Sequence, residues 1–283
     1  MTIAVTASTG HLGRLAIAEL LKSQPAESIV AIARDAGKAS DLGALGVQVR
    51  VASYDDPAAL EQALAGVERL LLISGSEVGQ RVAQHGNVVS AASAAGVSFL
   101  VYTSAPQATT SALVLAPEHK ATEELLGRSG LAHAVVRNNW YTENYAAQVE
   151  TARQTGTVVA AAGDGRVASA SRLDYAAGAV AVLLNGEPGR VYELSGDRAW
   201  DFHELADTIG RLIERPVVYR PVDAATLIST LTDAGLDEGS AGFVAALDTN
   251  IAGGLLAETS GELSELIGRP TTPLYEGLKA TLS

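Results

Sequence analysis

Thr6-Ala7-Ser8-Thr9-Gly10-His11-Leu12-Gly13 directly follows the apolar run Ile3-Ala4-Val5 and opens a stretch of helical length and pattern. A glycine pair carries little meaning by itself, but at a strand-to-helix turn it marks a loop that binds phosphate. Gly10 lets the backbone approach a diphosphate, and Gly13 lets the first helix pack tightly on the sheet. The helix N-terminus adds unpaired N–H groups and the positive end of its dipole. Ala7 departs from the three-glycine form of the pattern by one methyl group. The segment is read as a dinucleotide-binding loop in which Ala7, Ser8, Thr9, Gly10, His11, Leu12 and Gly13 meet the cofactor.

Outward from that loop, short runs rich in β-branched residues alternate with amphipathic stretches as far as residue 137, which is the βαβ pattern. Strands are expected at Ile3 to Thr6, Ile29 to Ala33, Val47 to Val51, Leu70 to Ile73, Phe99 to Thr103 and Ala134 to Arg137. All six are near-continuously apolar, as buried parallel strands should be. Helices are expected over 11–23, 56–65, 79–95 and 118–129. The fold class is therefore α/β: a doubly wound, Rossmann-like parallel sheet, with ligands at the carboxyl ends of the strands where strand order reverses.

Past residue 150 the alternation loosens. Thr157 to Ala160 and Val167 to Ser171, joined through Gly163-Asp164-Gly165, read as a hairpin, because Asp-Gly supplies a tight turn. A helix over 174–184, a strand at Val191 to Leu194 and a second strand at Val217 to Tyr219 follow. Further helices are expected over 202–213, 223–234 and 273–281. The expected organisation is a dinucleotide-binding domain over 1–150 and a smaller, mostly helical C-terminal lid over 151–283, interleaved with the sheet.

The bulk properties narrow the classes of function. With 20 Lys+Arg against 32 Asp+Glu, the formal charge of -12 disfavours a general attraction for nucleic acid or anionic lipid. Cysteine is absent, which removes disulfides, zinc-thiolate sites and thiolate catalysis. Neither a secretory leader nor a membrane-spanning run is read in the sequence, so a cytoplasmic location is expected. The five histidines show no metal-ligand spacing, and no metal is expected.

The end of the second strand discriminates between nicotinamide cofactors, because an acid there accepts from a ribose 2′-hydroxyl whereas a cation meets a 2′-phosphate. Arg34 and Lys38 stand there and favour NADPH, while Asp35 keeps the ribose reading open. Ser74-Gly75-Ser76 and Ser104, at two further strand ends, would line the cofactor groove. The segment Asn138-Asn139-Trp140-Tyr141-Thr142-Glu143-Asn144 concentrates amides and aromatic rings in a chain with only 5% aromatics, and would face the nicotinamide. Asn144 and Tyr141 are the candidates to hold a substrate carbonyl.

Many reductases of this architecture place a lysine four residues after a tyrosine to lower its pKa. None of Lys22, Lys38, Lys120 and Lys279 has that spacing. By residue type, His119 is then the remaining candidate acid, although a helix-surface histidine without a role fits as well.

These residues resemble the NmrA-like atypical short-chain dehydrogenases, and closely the bacterial type-2 NAD(P)H:quinone oxidoreductases, over nearly the whole chain. The carriers are Thr9 to Gly13, Leu71 to Arg81, Arg137 to Asn144, Ala162 to Arg166 and Leu266 to Thr272. The resemblance implies NADPH-dependent reduction of a quinone, with Ala7 to Leu12, Arg34, Ser74 to Ser76, Asn138 to Glu143 and Arg172 at the cofactor. Two other readings stay open: a sensor that binds NADP(H) without turnover, and a reductase of another planar electrophile such as a triphenylmethane dye. The oligomeric state is open, with a homodimer among the options.

Overall fold

A computed structural model describes residues 1–282. Eleven strands are named among them: β1 Ile3–Val5, β2 Ile29–Ala33, β3 Gln48–Val51, β4 Arg69–Leu72, β5 Phe99–Ser104 and β6 His133–Asn138. Then come β7 Thr157–Ala160, β8 Arg166–Val167, β9 Val191–Leu194, β10 Trp200–Asp201 and β11 Val218–Pro221. Seven of them form one sheet in the order β3-β2-β1-β4-β5-β6-β9, so strand order reverses at β1, between β2 and β4. Both neighbours of β1 run parallel to it, Ile3 lying opposite Ile29 on one side and Arg69 on the other. The crevice at the carboxyl ends of β1 and β4 is the switch point of a doubly wound sheet.

The expected first six strands all form, with ends shifted by one residue at most. Burial departs from expectation at β3, where Gln48 and Val51 are exposed. This strand pairs only with β2, so it is a sheet edge, and its apolar content does not mark a buried strand. Along one face Leu60, Leu64, Val88, Ala92 and Leu126 pack with Leu70, Leu100 and Tyr102 of the sheet, all of them 0% exposed. Burying a side chain of this size stabilises by roughly 1.5–3 kcal/mol. Helix His11–Leu20 packs against helix Arg172–Asn185, whose Ala176, Gly178 and Ala179 are small enough for close approach.

The chain divides into two compact units. One comprises Met1–Thr109, Pro117–Asn138 and Arg172–Glu193; the other comprises Thr110–Ala116, Asn139–Ser171 and Leu194–Ser283. A single boundary at residue 150 does not describe them, because helix Arg172–Asn185 and most of β9 return to the sheet unit. In the second unit the expected hairpin does not form: β7 pairs in parallel with β11, and β8 pairs antiparallel with β10. The Gly163-Asp164-Gly165 turn is real, with Gly163 at φ +52°. However, Gly165 packs so closely on Ile251 that a Cβ would lie 2.3 Å from its carbonyl oxygen, and the strands it joins find other partners. An aromatic cluster of Tyr145, Trp200, Phe202 and Tyr219, all buried, anchors this unit, with ring centroids 4.9 to 6.0 Å apart.

Candidate cofactor site

At the switch point, Thr6 joins the ends of β1 and β4. Its hydroxyl receives the Tyr54 phenol at 2.6 Å and the Ile73 N–H at 3.0 Å, while Tyr54 also bonds Ile73 O at 2.7 Å. The loop that follows is shaped by close approaches. Ala7 stands at φ +46°, a region an L residue enters at a cost of about 1–2 kcal/mol. A Cβ on Gly13 would lie 2.4 Å from Ala7 O, so only glycine fits there. The first intrahelical bond is Arg14 N–H to Gly10 O, and no side chain caps the preceding N–H groups of His11, Leu12 and Gly13. With no acidic residue in that first turn, the cradle suits a diphosphate by both charge and donors.

Around this cradle the structure sorts the expected contacts. Ser8 cannot serve a phosphate, since its N–H (3.2 Å) and hydroxyl (2.9 Å) both donate to Ile32 O. Arg14 spans the loop instead. Its guanidinium reaches Thr9 O at 3.2 Å and Lys38 O at 2.6 Å and pairs with Asp41, tying the segment after β2 to the first helix. Asp35, the acid that kept the ribose reading open, caps its own turn by accepting the Gly37 N–H at 2.7 Å and the Lys38 N–H at 3.4 Å. That leaves the exposed Arg34 side chain to define the end of β2, and it donates to Glu77 Oε1 at 3.1 Å.

The loop after β4 is held from beneath. Ser74 N–H donates to Thr103 Oγ1 at 2.9 Å, and Gly75 N–H donates to His85 Nε2 at 2.9 Å. Arg81 Nε donates to Gly75 O at 2.7 Å, and Glu118 receives both Arg81 and the Gly79 N–H. His85 is fully buried, and burial, followed by the nearby Arg81 charge, lowers its pKa to about 4.

His119 does not have the setting of a proton donor. It is 5% exposed, its Nδ1 lies 2.8 Å from the Tyr102 hydroxyl, and burial lowers its pKa to about 3, with Arg81 and His85 adding to the effect. At neutral pH it is an uncharged imidazole packed under the sheet end. Ser104 is likewise spent, donating to Glu123 at 2.6 Å. Glu123 in turn forms a buried cluster with Arg137, which also binds Glu193 at 2.7 Å.

Within the second unit, the Asn-Trp-Tyr segment is partly scaffold. Asn139 Oδ1 accepts the Trp140 N–H at 2.7 Å and its amide reaches Leu256 O, so its side chain is used internally. Thr142 is 1% exposed and bonds Ser169 Oγ at 2.8 Å. Trp140, Tyr141, Glu143 and Asn144 are half-buried, as is Arg172 at the start of its helix, whereas Asn138 is buried. Asp248 was missed altogether: it is 8% exposed, accepts the Ala161 N–H at 2.7 Å, and burial raises its pKa to about 6. Among the described residues no group of three or more His, Asp or Glu side chains is arranged to hold a metal ion, and no helix is long and apolar enough to cross a membrane.

The sheet, its switch point and the uncapped glycine loop define a dinucleotide-binding α/β protein. The chain belongs to the NAD(P)H-binding family, whose model matches residues 7–186. It is 48% identical to quinone oxidoreductase 2 of Escherichia coli K12 over 98% of this chain and 97% of that protein. The crystal structure of the NADPH-dependent quinone oxidoreductase from Escherichia coli complexed with NADPH superposes with a TM-score of 0.96 at 47% identity, covering 100% of both chains. A triphenylmethane reductase from a Citrobacter species superposes with a TM-score of 0.95 at 37% identity, over 100% of this chain and 99% of that one.

Proposed function

We propose that the chain reduces quinones with NADPH. The observation that carries this reading is the 48% identity, spread over nearly the full length of both chains, to a quinone oxidoreductase. The uncapped loop from Gly10 to Gly13 and the cationic end of β2 support the cofactor. When bound, NADPH supplies the hydride.

The residues of the chain bind and orient. The N–H groups of His11, Leu12 and Gly13 hold the diphosphate, and Arg34, with Lys38 nearby, takes the 2′-phosphate. Gly75 and Ser76 carry the loop after β4. Trp140 and Tyr141 give flat apolar walls to a planar ring, and the Asn144 amide with the Tyr141 hydroxyl holds a substrate carbonyl. Glu143 and Arg172 are further polar groups that we assign to the cofactor. A quinone accepts hydride readily and leaves as a stable phenolate, so alignment rather than a positioned acid sets the rate. That matches the neutral, buried state of His119. We place the reaction in the cytoplasm, the compartment that suits a cysteine-free, acidic chain.

A second reading, reduction of a cationic triphenylmethane dye, is favoured by the 37% identity to such a reductase. The test is NADPH oxidation by the purified protein with a benzoquinone, a naphthoquinone and a triphenylmethane dye in parallel. Faster turnover of the quinones supports the main reading; preference for the dye replaces it; tight NADPH binding with no turnover on any acceptor makes the protein a sensor.

A further inference from the structure

Glu77 is the one acid that reaches Arg34 among the described contacts, and it does so from a rigid support. Its Oε1 accepts from Arg34 at 3.1 Å, while its Oε2 accepts from Gln84 Nε2 at 3.0 Å. Gln84 is only 4% exposed, and the same amide donates to Asp55 Oδ1 at 3.2 Å. Its other end runs beneath Gly75, where a Cβ would stand 3.0 Å from Gln84 Oε1. An isolated surface ion pair contributes little, because two long side chains must be ordered to make it. Here one partner is already ordered, since the carboxylate of Glu77 is braced by a buried amide, and the movable partner is Arg34, whose side chain is 73% exposed.

We propose that Glu77 is a specificity-determining residue that competes with the adenosine 2′-phosphate for Arg34 and so limits the preference for NADPH over NADH. This rests on Arg34 being the 2′-phosphate contact. Binding NADPH requires the guanidinium to exchange a carboxylate for a phosphate, with the displaced carboxylate still held nearby by Gln84. The phosphate therefore meets a fixed like charge. NADH carries a neutral 2′-hydroxyl at that point, which neither competes for the cation nor is repelled, and a carboxylate can accept its hydrogen bond. The braced acid thus narrows the gap between the two cofactors that Arg34 opens.

The experiment is fluorescence titration of wild-type protein, Glu77→Gln and Arg34→Ala with NADPH and with NADH, without acceptor, at low and high salt. Glu77→Gln keeps the size of the side chain and the Gln84 contact while removing the charge. The expected result is NADPH binding roughly threefold to tenfold tighter, NADH binding unchanged or weaker, and a gain that shrinks as salt rises. Arg34→Ala should collapse the ratio of the two affinities. If Arg34→Ala collapses the ratio while Glu77→Gln leaves it unchanged or lowers it, the role of Glu77 is refuted and that of Arg34 stands. If Arg34→Ala leaves the ratio intact, both assignments fall.

Discussion

His85 Nε2 accepts the N–H of Gly75 at 2.9 Å, and that bond settles the form of a buried imidazole. A backbone N–H can only donate, so Nε2 must be bare and the proton sits on Nδ1. From there it is directed at Thr122 Oγ1, 2.9 Å away, and Thr122 in turn donates to Glu118 O at 2.9 Å. The tautomer is assigned from this network of partners. A charged His85 would turn an acceptor into a donor facing Gly75, and the loop after β4 would lose its support.

Acid should therefore destabilise the protein through His85. Its pKa falls from 6.5 to about 4 on folding, so the unfolded chain takes up the proton first. Stability is full above the unfolded value and is lost as pH drops through this window, by about 2 kcal/mol at pH ~5. His85→Asn should cost about 1–3 kcal/mol at neutral pH from the unsatisfied Gly75 N–H. Its deficit against wild type should then narrow at lower pH. Denaturant midpoints at two pH values check this, and an equal deficit at both would refute the linkage.

His119 should be silent in catalysis. With its pKa near 3 and its Nδ1 engaged by Tyr102, it neither charges nor donates in the working range. His119→Gln is expected to lower thermal stability by about 1 kcal/mol while leaving the pH profile of kcat unchanged. A shifted or missing limb in that profile would restore the histidine as an acid.

The nucleotide loop carries two opposite expectations. Ala7→Gly removes the strain at φ +46° and should raise stability by about 1 kcal/mol, discounted for the freedom glycine gains when unfolded. Gly13→Ala forces a methyl against Ala7 O and should weaken NADPH binding by more than roughly tenfold, because the helix N-terminus must move away. Calorimetry and cofactor titration test both.

Arg137 is buried with Glu123 and also pairs with the half-buried Glu193, and its removal would leave two carboxylates without their cation. Arg137→Met should cost about 3–5 kcal/mol, measured by denaturant unfolding. Adding Glu123→Leu should recover part of that loss, whereas simple additivity of the two losses would refute the coupling.

Much of this molecule was legible in the sequence because its signals are local. The apolar period set out β1 to β6, and Gly10 with Gly13 stood at the only strand-helix turn where their spacing has meaning. What stayed hidden depends on contacts made at long range. Tyr54 meets Thr6 across 48 residues, and Glu123 captures both Ser104 and Arg137, so the Ser104 hydroxyl, which looked like polar lining, is engaged in the scaffold. His85 lay unused because a search for metal spacing does not find a backbone anchor. The hairpin around Gly163-Asp164-Gly165 failed for the same reason: the turn was readable, but β11 and β10, the partners of its strands, lie tens of residues away.

Asp248 supplies a titration of the opposite sign. Its pKa rises from 3.8 to about 6 on folding, against the Ala161 N–H that favours the charged form, so burial is the larger effect. Stability is present below the unfolded value and is lost as pH rises through 6, by up to about 3 kcal/mol above it. Between pH ~4 and ~6 this loss runs against the acid loss from His85, and the two flatten the stability profile of the wild-type chain. Asp248→Asn keeps an oxygen for the Ala161 N–H without the charge. It should add about 1–3 kcal/mol at pH ~8, add little at pH ~4, and leave a steeper fall on the acid side that reports the two buried histidines, His85 and His119. Unfolding midpoints across that range decide it. A uniform gain at every pH would mean that folding does not shift the pKa of the aspartate, and a loss at pH ~8 would mean that the Ala161 bond outweighs the buried charge.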